Sequence, residues 1–376
     1  AKSRREIVER IYHFVLKTTR YVALEFGIHG YKPYPVPQVF QRKFGDCKDK
    51  ASLLKVMLEE AGIEANFVIV RTRQNGNIDT LLPSAYVFDH AIVYVPEFDL
   101  FLDGTAEFSG TRELPMLDQD ALVLIIRDDA SYVLRKTPIT TAGDNVITTH
   151  FTFDLRDAQN VRYTGSAAYK GFAAPSYRER YQSQTGQAGG NSEIQIERLK
   201  SELAYTVPGT TVLSADFGDI DNLEKDVLIR FEATTTLSDI VKVDASGWKL
   251  LPLVKSVSLT QRFASGAVRQ YPLQFPLPLT FDETASVILP PNATPTLPAP
   301  VSIVSQYGSL NINYHFEDST LTSHARAVLA MHRIEPQVYA GYLDFLQQID
   351  RHLNTPIAIV FDADTPPHSH PSSQEK

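Results

Sequence analysis

Residues 44–65 read FGDCKDKASLLKVMLEEAGIEA. Leu53, Leu54, Met57, Leu58 and Ala61 recur at helical spacing and Gly62 is a natural stop, so the stretch predicts one helix that begins at Cys47. Cys47 is the single cysteine of 376 residues, which excludes an internal disulfide framework and every cysteine-rich zinc site. A lone cysteine is ordinarily a small buried hydrophobe. The neighbours of this one argue for chemistry. Asp46 is placed to cap the free N–H groups of the first turn. A thiol at a helix N-terminus feels the positive end of the helix dipole, which favours thiolate. The same N–H groups can receive the negative oxygen that develops on an attacked carbonyl. Gly45 lets a substrate chain approach the backbone closely. These are the parts of a nucleophile site.

Working outward, residues 4–19 place Ile7, Ile11, Phe14 and Val15 on one helical face, and residues 28–37 (IHGYKPYPVP) are loop. FVIVRT (67–72) predicts a buried strand and residues 73–84 a polar loop that could act as a lid. AYVFDHAIVYV (85–95) and LFLDGT (100–105) predict a hairpin turning at Pro96–Asp99, and ALVLII (121–126) one more strand. A thiolate nucleophile needs a histidine to exchange protons with, and that histidine needs a carboxylate to orient it. His90 lies in the first hairpin strand and Asp103 at the end of the second. If the hairpin folds about residues 97 and 98, Asp103 opposes Ile92 and His90 opposes Thr105. His90 and Asp103 then share a face as diagonal neighbours. A slip of one residue would separate them.

GDCKDKA (45–51), the histidine in DHAIVYV and the LDGT turn together resemble the transglutaminase-like superfamily, in the bacterial branch whose core is flanked by uncharacterised β domains. RYVALEFG and YKPYPVPQVFQRKFGDCKDKASLL agree with it, and the specific likeness covers about residues 5–126. The resemblance implies an α+β, papain-like core in which a helix topped by the cysteine packs on an antiparallel sheet. It implies Cys47 as nucleophile, His90 as acid/base and Asp103 as orienting carboxylate. It implies an oxyanion hole from the Cys47 and Lys48 amides, with Tyr21 and Gln38 as candidate side-chain donors. Asp49 and Lys50 belong to the same string but carry no catalytic role, and a salt-bridged or solvated helix start is expected for both. The activity implied is acyl transfer or hydrolysis at protein or peptide amides through a thioester, of transamidase or peptidase type. The contrasting expectation is a non-catalytic binding or scaffold protein of an exported assembly that works through its β region. An intact Cys, His and Asp argue against that second reading. Periplasm or cell surface is the setting the resemblance implies.

The rest of the chain reads differently. VITTHFTFDL, VRYTGSAAY, DVLIRFEATT, SVSLTQRF and SLNINYHF alternate like strands of a sandwich or mixed sheet. Two helices interrupt them: NSEIQIERLKSELA, with Ser192 as candidate cap, and a C-terminal one whose Val338, Tyr342, Phe345, Leu346, Ile349 and Leu353 predict a docking stripe. Trp248 is expected to be a packing anchor. The domains expected are a catalytic core at 1–135, a mostly β domain at 136–360 and a disordered tail at 361–376, whose His368 and His370 are read as solvated. Asn292-Ala-Thr matches a glycosylation acceptor by a pattern common by chance. The chain opens on charged helix without Met, so a mature form or fragment lacking an N-terminal domain is expected. Net charge is −8, which disfavours a broad grip on nucleic acid. No apolar run approaches about 18 residues. No calcium-loop pattern occurs, so no metal or cofactor is expected.

Overall fold

The computed structural model describes residues 3–23, 26–76, 84–182, 193–264, 266–274 and 277–362. The chain divides into two compact units. The first holds residues 1–140 together with 174–179 and 221–226; the second holds 141–173, 180–220 and 227–376.

In the first unit, helix α1 (Arg4–Thr18) is capped by Ser3, whose side chain accepts from the Glu6 amide. It buries Val8, Tyr12, Val15 and Leu16. Strand β1 (Arg20–Tyr21) runs parallel to β2 (Phe44–Gly45), with helix α2 (Val36–Arg42) between them in sequence. Helix α3 (Cys47–Glu60) follows and ends before Gly62, whose φ of +74° suits a residue without Cβ. Strands β3 (Asn66–Arg71), β4 (His90–Val95), β5 (Leu100–Leu102), β6 (Leu122–Ile126) and β7 (Tyr132–Lys136) form an antiparallel sheet in the order β5-β4-β3-β6-β7. One core joins α1 and α3 to the sheet: Leu53, Leu54 and Leu58 lie with Val15, Ala91, Val93 and Val95. Val68, Val70, Ile92, Val123 and Ile125 form a second core from the alternate residues, as the two-residue period of a strand requires.

The hairpin register agrees with the sequence reading: Val93 pairs with Leu102, Tyr94 with Phe101 and Val95 with Leu100. The strand expected over 85–95 is shorter. It begins only at His90, and residues 85–87 form a 3-10 turn. The cause is Asp89, whose carboxylate accepts from the Thr72 amide (2.8 Å), the Thr72 hydroxyl (2.6 Å) and Asn75 (2.7 Å). The polar stretch 73–84 starts as a 3-10 turn (Arg73–Asn75); residues 77–83, on which the lid reading falls, lie outside the described residues.

The second unit is built on an eight-stranded mixed sheet. Its spatial order is Thr211–Asp216, Val227–Thr235, Val161–Lys170, Val146–Asp154, Leu279–Ile288, Thr320–Leu329, Gly308–Glu317 and Val301–Ser305. Only the pair of Val146–Asp154 with Leu279–Ile288 is parallel. Phe153 stacks on Tyr163 at 4.8 Å between ring centroids. The expected helices occur at Glu193–Thr206 and Tyr339–Leu353, the latter burying Tyr342, Phe345, Leu346, Ile349 and Leu353. Two further short helices here, Leu237–Ile240 and Leu259–Phe263, were not legible, nor were Val36–Arg42, which begins inside the expected loop, and Ala174–Tyr181, most of which belongs to the first unit. SVSLTQRF is therefore a helix start rather than a strand: Asp350 accepts from the Leu259 and Thr260 amides and binds that first turn. Trp248 is buried edge-on against Phe361. Ser192 and the tail from 363 onward lie outside the described residues.

Candidate active site

The site starts at the first turn of α3. Asp46 accepts from the Asp49 amide (3.2 Å), and the Asp49 carboxylate returns to the Asp46 amide (3.3 Å). This reciprocal pair satisfies two donors that a helix start leaves open. The Lys50 amide bonds the Asp46 carbonyl. Those caps leave the Cys47 and Lys48 amides as the remaining donors of the turn. The sequence reading expected a salt-bridged or solvated start at Asp49 and Lys50; Asp49 is salt-bridged to Arg42, and neither residue is solvated. Asp46, Lys48, Asp49 and Lys50 are all buried, and each has a partner. Lys48 pairs with Asp46. Asp49 takes Arg42 at 2.7 Å and the Tyr34 amide at 2.8 Å. Lys50 donates to the Thr19 carbonyl, and burial lowers its pKa against the pull of Glu107 and Asp103. Gly45 is needed for the same packing: a Cβ there would lie 2.6 Å from that of Asp49.

His90 opens β4 and Asp103 follows the last residue of β5. His90 Nε2 stands 3.2 Å from Asp103 Oδ2, and the nearby Cys47 thiol helps raise the imidazole's pKa. Asp103 is held from three sides. Its Oδ1 accepts from the Thr105 amide (2.8 Å) and hydroxyl (2.7 Å), and its carbonyl accepts from Tyr12 of α1 (3.0 Å). Burial opposes a charged imidazole, but the hydrogen bond to Asp103, the Cys47 thiol and the nearby carboxylates outweigh it. His90 is pushed up to about 11. Asp103 is buried, which alone would raise its pKa; the His90 contact and the Thr105 donors hold it below the usual carboxylate range.

One site residue was missed in the sequence. Asp118, the last residue of a 3-10 turn (Met116–Asp118), is buried and places Oδ2 4.0 Å from His90 Nε2. Burial and the charge of Asp103 raise it well above the usual carboxylate range. No periodicity marks it: Asp120, two residues on, looks alike in sequence but pairs with Lys136 at 2.9 Å. Among the described residues, His90, Asp103 and Asp118 form the one His/Cys/Asp/Glu grouping that comes within reach of a common ion, their atoms lying within 4.8 Å of one another. His90 and Asp103 are already engaged with each other, and none of the three is assigned as a metal ligand.

A cavity of about 540 Å³ opens on His90 and Asp103 and is also walled by Tyr21, Glu107, Phe108 and Pro175. Tyr21, the candidate oxyanion donor, pairs with Gly45 across β1 and β2 and lines this cavity. Gln38 sits exposed on α2 and is not among the described residues lining this cavity. Two distant segments complete the unit. Arg178, 1% exposed, holds Glu113 at 2.5 and 3.0 Å and bonds the Phe108 carbonyl. Glu224 binds His13 at 2.9 Å and the Thr111 amide at 2.8 Å.

Residues 1–98 match the family model of the transglutaminase-like superfamily, and the N-terminal region of the chain is transglutaminase-like. Residues 248–359 match a domain of unknown function, DUF3858, known from solved structures. A crystal structure of a candidate protease from Parabacteroides distasonis aligns with a TM-score of 0.54 at 14% identity, over 96% of this chain and 53% of that one. That likeness concerns the fold, and the chain spans about half the length of this relative. No curated protein matches the chain.

Proposed function

We propose that the first unit is a cysteine enzyme acting on protein or peptide amides by acyl transfer or hydrolysis. The observation that carries this reading is the grouping of Cys47, His90 and Asp103, of which His90 and Asp103 line an open cavity. Cys47 Sγ attacks the amide carbonyl carbon while the C–N bond breaks, and His90 gives its proton to the departing amine. The oxygen that becomes negative would be received by the Cys47 and Lys48 amides at the head of α3. Water or a second amine then attacks the thioester, loses a proton to His90 and releases Cys47. Asp103 keeps the imidazole oriented and offsets its charge. Periplasm or cell surface is the setting proposed, on the family resemblance.

The test is incubation with glutamine-containing and unbiased peptide mixtures, with and without a dansylated primary amine, read by mass spectrometry. Amine incorporation identifies a transamidase, and amide cleavage in water identifies a hydrolase. Either should be lost in Cys47→Ala. Persistence of the products in Cys47→Ala would refute the reading. Absence of all turnover together with a chemically inert Cys47 would favour the scaffold alternative.

A further inference from the structure

We infer that Asp118 is a positioning residue of this site: as a neutral carboxyl group it donates a hydrogen bond to Asp103 and so holds that carboxylate on His90. The inference rests on the proposed role of Cys47 and His90. Its ground is a mismatch of donors and acceptors. Asp118 Oδ2 is buried, and no donor among the described residues reaches it. What faces it is another acceptor, the Asp103 carboxylate, with an oxygen within 4.8 Å. Two carboxyl groups can share a hydrogen bond only if one carries a proton. Asp103 is the worse candidate for it, because it already accepts from Thr105 twice and from His90. Asp118 accepts from none of them, and the other carboxylate acting on it, Asp89, also disfavours its charge. The proton therefore belongs to Asp118. A charged Asp118 would instead be a second counterion for His90 at 4.0 Å, so the two roles make opposite predictions for an asparagine there.

The backbone of Asp118 has structural duties that a side-chain exchange leaves in place. Its amide donates to the Pro115 carbonyl at 2.9 Å and its carbonyl accepts from Thr137. Asp118→Asn keeps a donor of the same shape without charge, whereas Asp118→Leu keeps volume and removes the donor. The experiment measures iodoacetamide alkylation of Cys47 in the full chain for wild type, both variants and His90→Ala, with infrared spectra of wild type and Asp118→Asn. The asparagine variant should stay within about twofold of wild type, and the leucine variant should lose roughly tenfold, the effect of one lost hydrogen bond to a charged group. A protonated-carboxyl band should be present at pH 7 in wild type and absent from Asp118→Asn. Alkylation that falls as far in the asparagine variant as in the leucine variant would overturn the inference, and so would a leucine variant at the wild-type rate. If the leucine variant does not fold, the band decides: its absence in wild type overturns the inference. A His90→Ala variant as reactive as wild type would instead defeat the catalytic reading, while the band would still report the state of Asp118.

Discussion

At the residue scale the site is built on the pairing of the His90 imidazole with the Asp103 carboxylate. The His90 imidazole has a reference pKa of 6.5 and about 11 in the folded chain. A raised folded value means that the stabilisation is fully present below 6.5 and is lost as pH rises toward 11. Thermal melts should therefore show wild type losing stability across that window relative to His90→Ala; parallel curves would contradict the pairing. Asp103→Asn should cut turnover by at least ~10²-fold while leaving the fold intact, since the imidazole loses its orienting charge. Equal turnover of the two proteins would remove Asp103 from the relay. Cys47, His90 and Asp103 could be found in the sequence because each sits next to a local signal: a helix start, a β run, a turn. Asp118 could not be found. Its only distinction is burial beside Asp103, which arises when residues far apart in sequence fold together.

At the scale of elements, the first turn of α3 carries more than its helical period shows. Its apolar spacing predicted the helix, but no pattern in DCKDK announces that Asp46, Lys48, Asp49 and Lys50 are all buried. Charged runs are usually solvated. Here Lys48 and Asp46 pair with each other, Lys50 reaches the Thr19 carbonyl, and Arg42 of α2, stacked over Tyr34 at 4.3 Å and Phe44 at 4.7 Å, holds Asp49. Removing the cap by Asp46→Ala should destabilise the protein by about 1–2 kcal/mol, read as a lowered urea midpoint. A midpoint unchanged from wild type would mean that the buried cap carries no weight. The β4–β5 register follows the fold about residues 97 and 98 that the sequence reading took as its condition. The start of β4 was not legible, because it depends on Asp89 closing onto Thr72 and Asn75.

At the scale of the whole chain, the first unit is not continuous in sequence. A cut near 135 or 140 leaves out Arg178 and Glu224. Arg178 is a buried cation facing Glu113, and breaking such a pair costs roughly 3–5 kcal/mol. Expression of residues 1–140 alone should give a protein that fails to fold cooperatively, read by circular dichroism during melting. A sharp transition at the wild-type temperature would contradict this. Glu224 adds an acid limb. Burial would raise its pKa, but His13 and the Thr111 donors depress it to about 2. Its contribution is present above 4.5 and is lost as pH falls toward 2. None of this could be read from the sequence, where a change of pattern near residue 135 marks where one sheet ends but not which later segments return to it.

The claim that decides the account is that His90 activates Cys47. The most direct measurement is the rate of Cys47 alkylation by iodoacetamide against pH, in wild type and in His90→Ala. Rapid labelling of wild type should persist well below pH 8, and at pH 6.5 the variant should label about tenfold or more slowly. Superimposable profiles for the two proteins would contradict that activation.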